Sequence, residues 1–394
     1  MASGAVGDSP LSGPQVILPG GRRLRLSGGA GFPRPAGPPT SRIAYAAAHV
    51  VADPTAENTP GAPAALDWER TLAFRRHLWS YGLGVAEAMD TAQRGMGLDH
   101  PATRELVRRS AAEARAAGGR IVAGVNTDQL PPGPATLAEV TRAYLEQLGE
   151  VTAAGARAVL MCSRHLAAAA RGPEDYLRVY DELLAAADQP VVLHWLGPMF
   201  DPALTGYWGA DDLDVAADTV VELIKAHDAK VDGIKMSLLD ADREVALRRR
   251  LPPGVRLYTG DDFHYPELIR GDATSHSDAL LGVFAAIAPA AATALAALDR
   301  GDPATYDAVF APTVPLAQHL FAAPTWHYKT GIVFLAWLAG HQGHFTMVGG
   351  QQAGRSPVHL ARLLELADAA GLLPDAELAA SRARAFLTVA GVPQ

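Results

Sequence analysis

Residues 190–195 (PVVLHW) and 231–236 (VDGIKM) are two short apolar runs. Between them, residues 211–227 (DDLDVAADTVVELIKAH) read as a helix that opens on Asp211-Asp212 and ends near His227. Several runs of this kind in the chain are continuous in apolar residues rather than alternating, which fits strands buried on both faces of a parallel sheet. Moving outward, the same rhythm holds from Arg42 to about Pro289. Strand-like runs fall at Ile43–Ala47, Gly84–Ala88, Arg120–Val125, Ala158–Cys162, Pro190–Trp195, Val231–Met236, Val255–Thr259 and Leu280–Ile287. Helix signals lie between them. Asp67 caps one helix, Asp99-His100-Pro101 opens the next and Gly118-Gly119 closes it. Thr136 to Glu139 has capping-box spacing, and Pro173-Glu174-Asp175 opens another helix.

Eight such units predict an α/β fold, a (β/α)8 TIM barrel over residues 42–289. A doubly wound sheet is disfavoured because the first strand-to-helix turn lacks a glycine-rich phosphate loop. Residues 1–41 read as an N-terminal arm with a small hairpin, Val16–Leu26, over Pro19-Gly20-Gly21, the rest of the arm being loose. Residues 290–394 read as a C-terminal helical region, with helices near Ala290–Arg300, Pro303–Phe321, Thr325–Ala339, Ser356–Ala370 and Pro374–Ala390.

Composition narrows the function classes. The 394 residues are 49% hydrophobic and carry a formal charge of −8 without a basic run, so nucleic acid and anionic membranes are not expected partners. Cys162 stands alone, which excludes an internal disulfide. The longest apolar segment, Phe284–Leu298, is broken by Pro289, and the first residues lack a signal peptide's pattern; a cytoplasmic protein is expected. Only four of the 34 basic residues are lysine: Lys225, Lys230, Lys235 and Lys329. A lysine inside an apolar run therefore needs its own explanation, because lysine can lose its proton and arginine cannot.

Barrel chemistry gathers at the C-terminal ends of the strands. Those ends carry His49, Glu87 with Asp90 and Thr91, Asn126 with Asp128, Ser163, His194, Lys235 with Ser237, and Asp261 with Asp262. Asn126, Asp128 and Ser163 read more simply as turn and cap residues. Lys235 differs: burial would disfavour its charged form, and a neutral amine can attack a carbonyl and form a Schiff base. The bland alternative is a lysine at the rim, reaching water or pairing with Glu87 or Asp261.

Gly233-Ile234-Lys235 resembles the Schiff-base lysine motif of the dihydrodipicolinate synthase/N-acetylneuraminate lyase family. Leu257-Tyr258-Thr259-Gly260-Asp261-Asp262 is similar to the same family's next strand, ending in Gly-Asp-Asp. Thr313–Phe321, Ala323-Pro324 and Lys329 follow the rhythm of its tail. The resemblance spans about Arg42–Gly340. It implies a lyase or aldolase that cleaves or forms a C–C bond in, or dehydrates, a small keto acid or sugar-derived carbonyl compound, without a cofactor, as a homodimer or homotetramer. The departures are specific. His194 stands where the family places a proton-shuttling tyrosine. The family's Gly-Thr-Thr-Gly-Glu turn is replaced by Glu87-Ala88-Met89-Asp90-Thr91-Ala92-Gln93, in which only Thr91 corresponds, and Met236 follows the lysine in place of an acid. The resulting expectation is a divergent branch. Lys235 and His194 would be catalytic, and Thr91, Asp90, Glu87, His49 and Asp261 would contact substrate. Two other readings stay open. One is a metal-dependent isomerase-like barrel using Glu87, His194, Asp261 and His264. The other is a non-catalytic barrel that binds a ligand.

Overall fold

The computed structural model describes residues 13–29, 31–89 and 93–394. The arm forms a two-stranded antiparallel sheet, β1 (Gln15–Ile17) and β2 (Arg23–Arg25), with Gln15 opposite Arg25. Gly20 and Gly21 supply the turn at φ +85° and +78°, a left-handed conformation that side chains other than glycine adopt at a cost. Val16, Leu18 and Leu26 are buried, and the Gln394 side chain bonds both the N–H and the carbonyl of Ile17. The rest of the described arm is not loose. The N–H of Ser27 donates to Asp368, and those of Thr40 and Ser41 donate to Asp299. Each bond lets an otherwise unpaired backbone donor find an acceptor, which fixes the strap along the tail and barrel.

The remaining eight strands are parallel and close on themselves in the order β10-β3-β4-β5-β6-β7-β8-β9. They are β3 (Ala44–Ala47), β4 (Gly84–Glu87), β5 (Ile121–Val125), β6 (Arg157–Leu160), β7 (Val191–Leu196), β8 (Val231–Ser237), β9 (Arg256–Thr259) and β10 (Asp278–Leu281). Helices Trp68–Ser80, His100–Ala117, Leu137–Ala154, Pro173–Ala186, Leu213–Ala226, Ala241–Arg248 and Tyr265–Arg270 connect them. This is a (β/α)8 barrel. The expected caps are present: Asp67 accepts from the Arg70 N–H, Asp99 from that of Ala102, and the Thr136–Glu139 box makes both of its bonds.

Two expectations are corrected. The eighth strand ends at Leu281, and the chain enters a helix at Phe284–Asp299, kinked at Ile287 two residues before Pro289. The expected helix over Pro303–Phe321 is two, Pro303–Phe310 and Thr313–Leu320, separated at Ala311-Pro312. Tyr328–Leu338, Pro357–Ala369 and Ala376–Val389 complete the tail. Among the described residues no helix is long and apolar enough to cross a membrane.

Strand alternation separates the lumen from the outer layer. Tyr45, Ala47, Ala86, Val122, Val159, Val192, Tyr258 and Leu280 pack together inside the ring. At its lower end the Tyr258 hydroxyl donates to Asp232 at 2.6 Å, and Asp232 is paired with Arg157 and Arg256. Outside the ring, fully buried Glu244 accepts from the Ser277 and Thr259 hydroxyls at 2.7 and 2.9 Å. Desolvation pushes its carboxyl up to about 8 from an ordinary 4.5. Between those values the folded chain holds a proton that the unfolded chain has released. Glu244 therefore contributes stability that is full below about 4.5, falls as pH rises, and is lost on passing about 8. Thermal melts of wild type and Glu244→Gln from pH 5 to 8 should show a flatter pH dependence for the amide. Parallel curves would disprove this role.

Candidate active site

β7 and β8 run side by side in a register that pairs His194 with Lys235. Val192 faces the lumen, so His194, two residues on, does so as well, and Lys235 lies beside it. Both are buried: His194 is inaccessible and Lys235 is 7% exposed. On the other side Lys235 pairs with Tyr258 of β9, and the next inward position after Tyr258 is Gly260. A Cβ placed on Gly260 would stand 2.7 Å from the Lys235 Cε, 2.1 Å from the Ser237 Oγ and 2.8 Å from the Met236 carbonyl oxygen. The lysine side chain thus lies along β9 in space that only glycine leaves open. Ser237, one inward position above Lys235, has its Oγ 3.2 Å from the His194 Nε2. Lysine, histidine and serine therefore form one contiguous polar group in an apolar ring.

The space around Gly260 yields a sharp expectation. Gly260→Ala should cost about 1–3 kcal/mol, the usual penalty for overpacking, because a backbone oxygen blocks one escape route. Any chemistry at Lys235 should slow by at least about tenfold, since misplacements near 1 Å have such effects. Unfolding curves and the rate of covalent trapping at position 235 would check both.

Asp262 lies two residues past Gly260, in the turn that follows β9. It is 3% exposed and accepts the Val283 N–H at 2.7 Å. Desolvation raises its carboxyl to about 7, opposed by that N–H and by the positive charge of Lys235 and Lys329. A group titrating there can hold or release a proton near neutral pH. Lys329, on helix Tyr328–Leu338, is 2% exposed, and its Nζ donates to the Ala47 carbonyl at 2.7 Å, at the end of β3. The tail thus delivers a second buried lysine to the barrel mouth. The sequence carried the signals for both residues: Asp262 closes the Gly-Asp-Asp run, and Lys329 is one of only four lysines.

The other expected contacts are placed differently. Glu87 lies outside the ring in a doubly hydrogen-bonded pair with Arg75, at 2.7 and 2.8 Å, with neither side chain exposed. His49 lies past β3, its Nε2 2.9 Å from Gln342 Oε1 and its ring 4.3 Å from that of Phe74. Burial, with the charges of Lys329 and Arg75, pushes its imidazole well below the ordinary value. Asp261 spends its carboxylate on the Phe263 and His264 N–H groups and on the His264 ring, at 2.8 to 3.0 Å. Asp90 and Thr91 lie outside the described residues. Of Glu87, His194, Asp261 and His264 only the last two touch, and among the described residues no three His, Cys, Asp or Glu side chains group as metal ligands.

Residues 20–392 match a family described as a protein of unknown function (DUF993). The chain belongs to the DUF993 family. No curated protein matches this sequence. Among solved structures, the DUF993 chain is similar to dihydrodipicolinate synthase from Aquifex aeolicus, with a TM-score of 0.64 and 12% identity over 84% of this chain and 99% of that one. The same enzyme from Oceanobacillus iheyensis aligns with a TM-score of 0.61 and 15% identity, over 82% and 95%. The 4-hydroxy-tetrahydrodipicolinate synthase of Methylacidiphilum fumariolicum SolV gives 0.62 and 16%, over 84% and 95%. The DUF993 chain therefore shares the fold of these synthases, as the lysine strand, the Gly-Asp-Asp strand and the tail suggested.

Proposed function

We propose that this DUF993 protein is a Schiff-base lyase or aldolase acting on a small keto acid or sugar-derived carbonyl compound, without a cofactor. The reading rests on one observation: Lys235 is buried inside a closed barrel, in register with His194. The shared fold with synthases that are lyases adds to it.

In this mechanism the Lys235 amine attacks the substrate carbonyl, and the carbonyl oxygen leaves as water. The resulting iminium draws the electron pair of the neighbouring C–C bond, which breaks and leaves an enamine on Lys235. His194 takes the proton of the departing hydroxyl, so that half leaves as an aldehyde or ketone. Protonation of the enamine carbon and hydrolysis return the free amine. Asp262 exchanges protons with the lysine, and Ser237 orients the imidazole. Condensation runs through the same steps in reverse.

The experiment is reduction with borohydride in the presence of pyruvate, glycolaldehyde and further carbonyl probes, followed by peptide mapping. The expected result is a reduced adduct on the peptide containing Lys235. An adduct at another residue, or no adduct with a compound that the enzyme demonstrably turns over, would end this mechanism. The same reading expects a homodimer or homotetramer, which sedimentation would detect.

A further inference from the structure

Beside the lysine cluster, the loops after β4, β5, β6 and β7, with Trp326, His327 and Gln351 of the tail, line a cleft of about 1000 Å³. That is the upper end of the range typical of sites for drug-sized ligands. Its position ties it to the lysine. Cys162 forms part of the lining, and its Sγ lies 3.1 Å from the His194 carbonyl oxygen. Leu196, also in the lining, pairs in register with Ser237, two residues beyond Lys235.

The chemistry of the lining is mostly apolar. Leu130, Ala168, Leu196, Phe200, Leu204 and Trp326 supply the walls. The charged residues are two arginines and two aspartates, and each arginine is already matched to an aspartate. Arg94 holds Asp128 through two bonds, at 2.7 and 2.8 Å, and Arg164 holds Asp201. The His165 ring is placed by the Thr127 hydroxyl at 3.0 Å and the Pro131 carbonyl at 3.1 Å. With two arginines balanced by two aspartates, the lining offers a phosphorylated or polycarboxylate ligand no net positive charge. An uncharged, apolar group would displace water from the walls and leave both pairs intact.

We propose that this cleft receives the apolar part of the carbonyl substrate, an aryl or branched alkyl group on the half that departs from, or enters at, Lys235. The inference deepens the lyase reading and rests on it for the reacting carbonyl. The small keto-acid half reacts at Lys235, and on its own it would leave the cleft unfilled, so the half that departs or enters is a hydrophobic aldehyde.

The test separates the cleft from the chemistry by using a probe that cannot condense. Naphthalene-2-methanol has the apolar group but no carbonyl, and glycerol is the polar control. Calorimetric titration should show naphthalene-2-methanol binding to wild type and, equally, to Lys235→Met, with no measurable glycerol binding. Ala168 is exposed on its short helix, so Ala168→Trp fills the cleft without entering the core and should weaken binding at least about tenfold. Trp326→Ala removes an aromatic wall and should weaken it about three- to tenfold. Absence of binding to wild type, or equal binding to wild type and Ala168→Trp, overturns the proposal. So does an altered sedimentation coefficient for Ala168→Trp with unchanged probe affinity, which would make the cleft a contact between subunits. Retained probe binding alongside failed borohydride trapping would sink the Schiff base and leave the cleft standing.

Discussion

Lys235→Arg should abolish the borohydride-dependent adduct and lower turnover on the order of a thousandfold or more, as expected when a covalent nucleophile is removed. Arginine is the informative replacement because it keeps the positive charge and cannot give up its proton at any working pH. If Lys235 served only as a cation opposite Asp262, arginine would substitute at modest cost. If the amine is the nucleophile, charge is irrelevant and the loss is nearly complete. The guanidinium is bulkier, and the space above Gly260 is tight. Lys235→Met, unbranched and uncharged, therefore accompanies it. Under the proposed mechanism both variants lose the adduct. Retention of activity by arginine with loss by methionine would point to a charge role and refute the nucleophile. A thermal melt of each variant shows whether the barrel still forms.

The barrel was legible in the sequence because strands buried on both faces are largely apolar and because the helix caps are explicit. The same rule misled at the eighth strand. From Leu280 to Ile287 every residue but Gly282 is apolar and suits a buried strand or a buried helix, and periodicity alone does not separate them. The chain turns at Gly282, where a Cβ would stand 2.7 Å from the Phe321 ring and 2.9 Å from that of Tyr328. That contact is set by a tail some forty residues away. Lys235 stood out because lysine is so scarce here. Asp261 and Asp262 look alike in sequence, and only the turn after β9 sets one on the Phe263 and His264 N–H groups and the other on that of Val283. Glu87 shows the limit most clearly. All four residues of β4 are buried, so nothing in the pattern says which pair faces inward. A shift of one position moves every side chain to the other face.

Its placement leads to the second large effect. Arg75 and Glu87 are charged side chains with no exposed surface, held together by two hydrogen bonds. Arg75 also donates to the carbonyls of Thr71 and His49, so one guanidinium joins helix Trp68–Ser80, the end of β4 and the chain beyond β3. Removing one partner strands a buried charge and costs about 3–5 kcal/mol. A domain's whole stability is on the order of 5–15 kcal/mol, so Glu87→Leu or Arg75→Met should each shift urea unfolding strongly. Replacing both together restores apolar packing and is often close to neutral for such pairs. The double variant should therefore recover most of the loss, short of the hydrogen bond to the His49 carbonyl. Single variants within about 1 kcal/mol of wild type would contradict this account. The double variant also decides between two roles for Glu87. A carboxylate that contacts substrate is lost in it, whereas one that only ties a helix to the outer wall is not missed. On the geometry, the refolded double variant should keep covalent trapping at Lys235 near the wild-type rate. Loss of trapping in a fully folded double variant would return Glu87 to the substrate site.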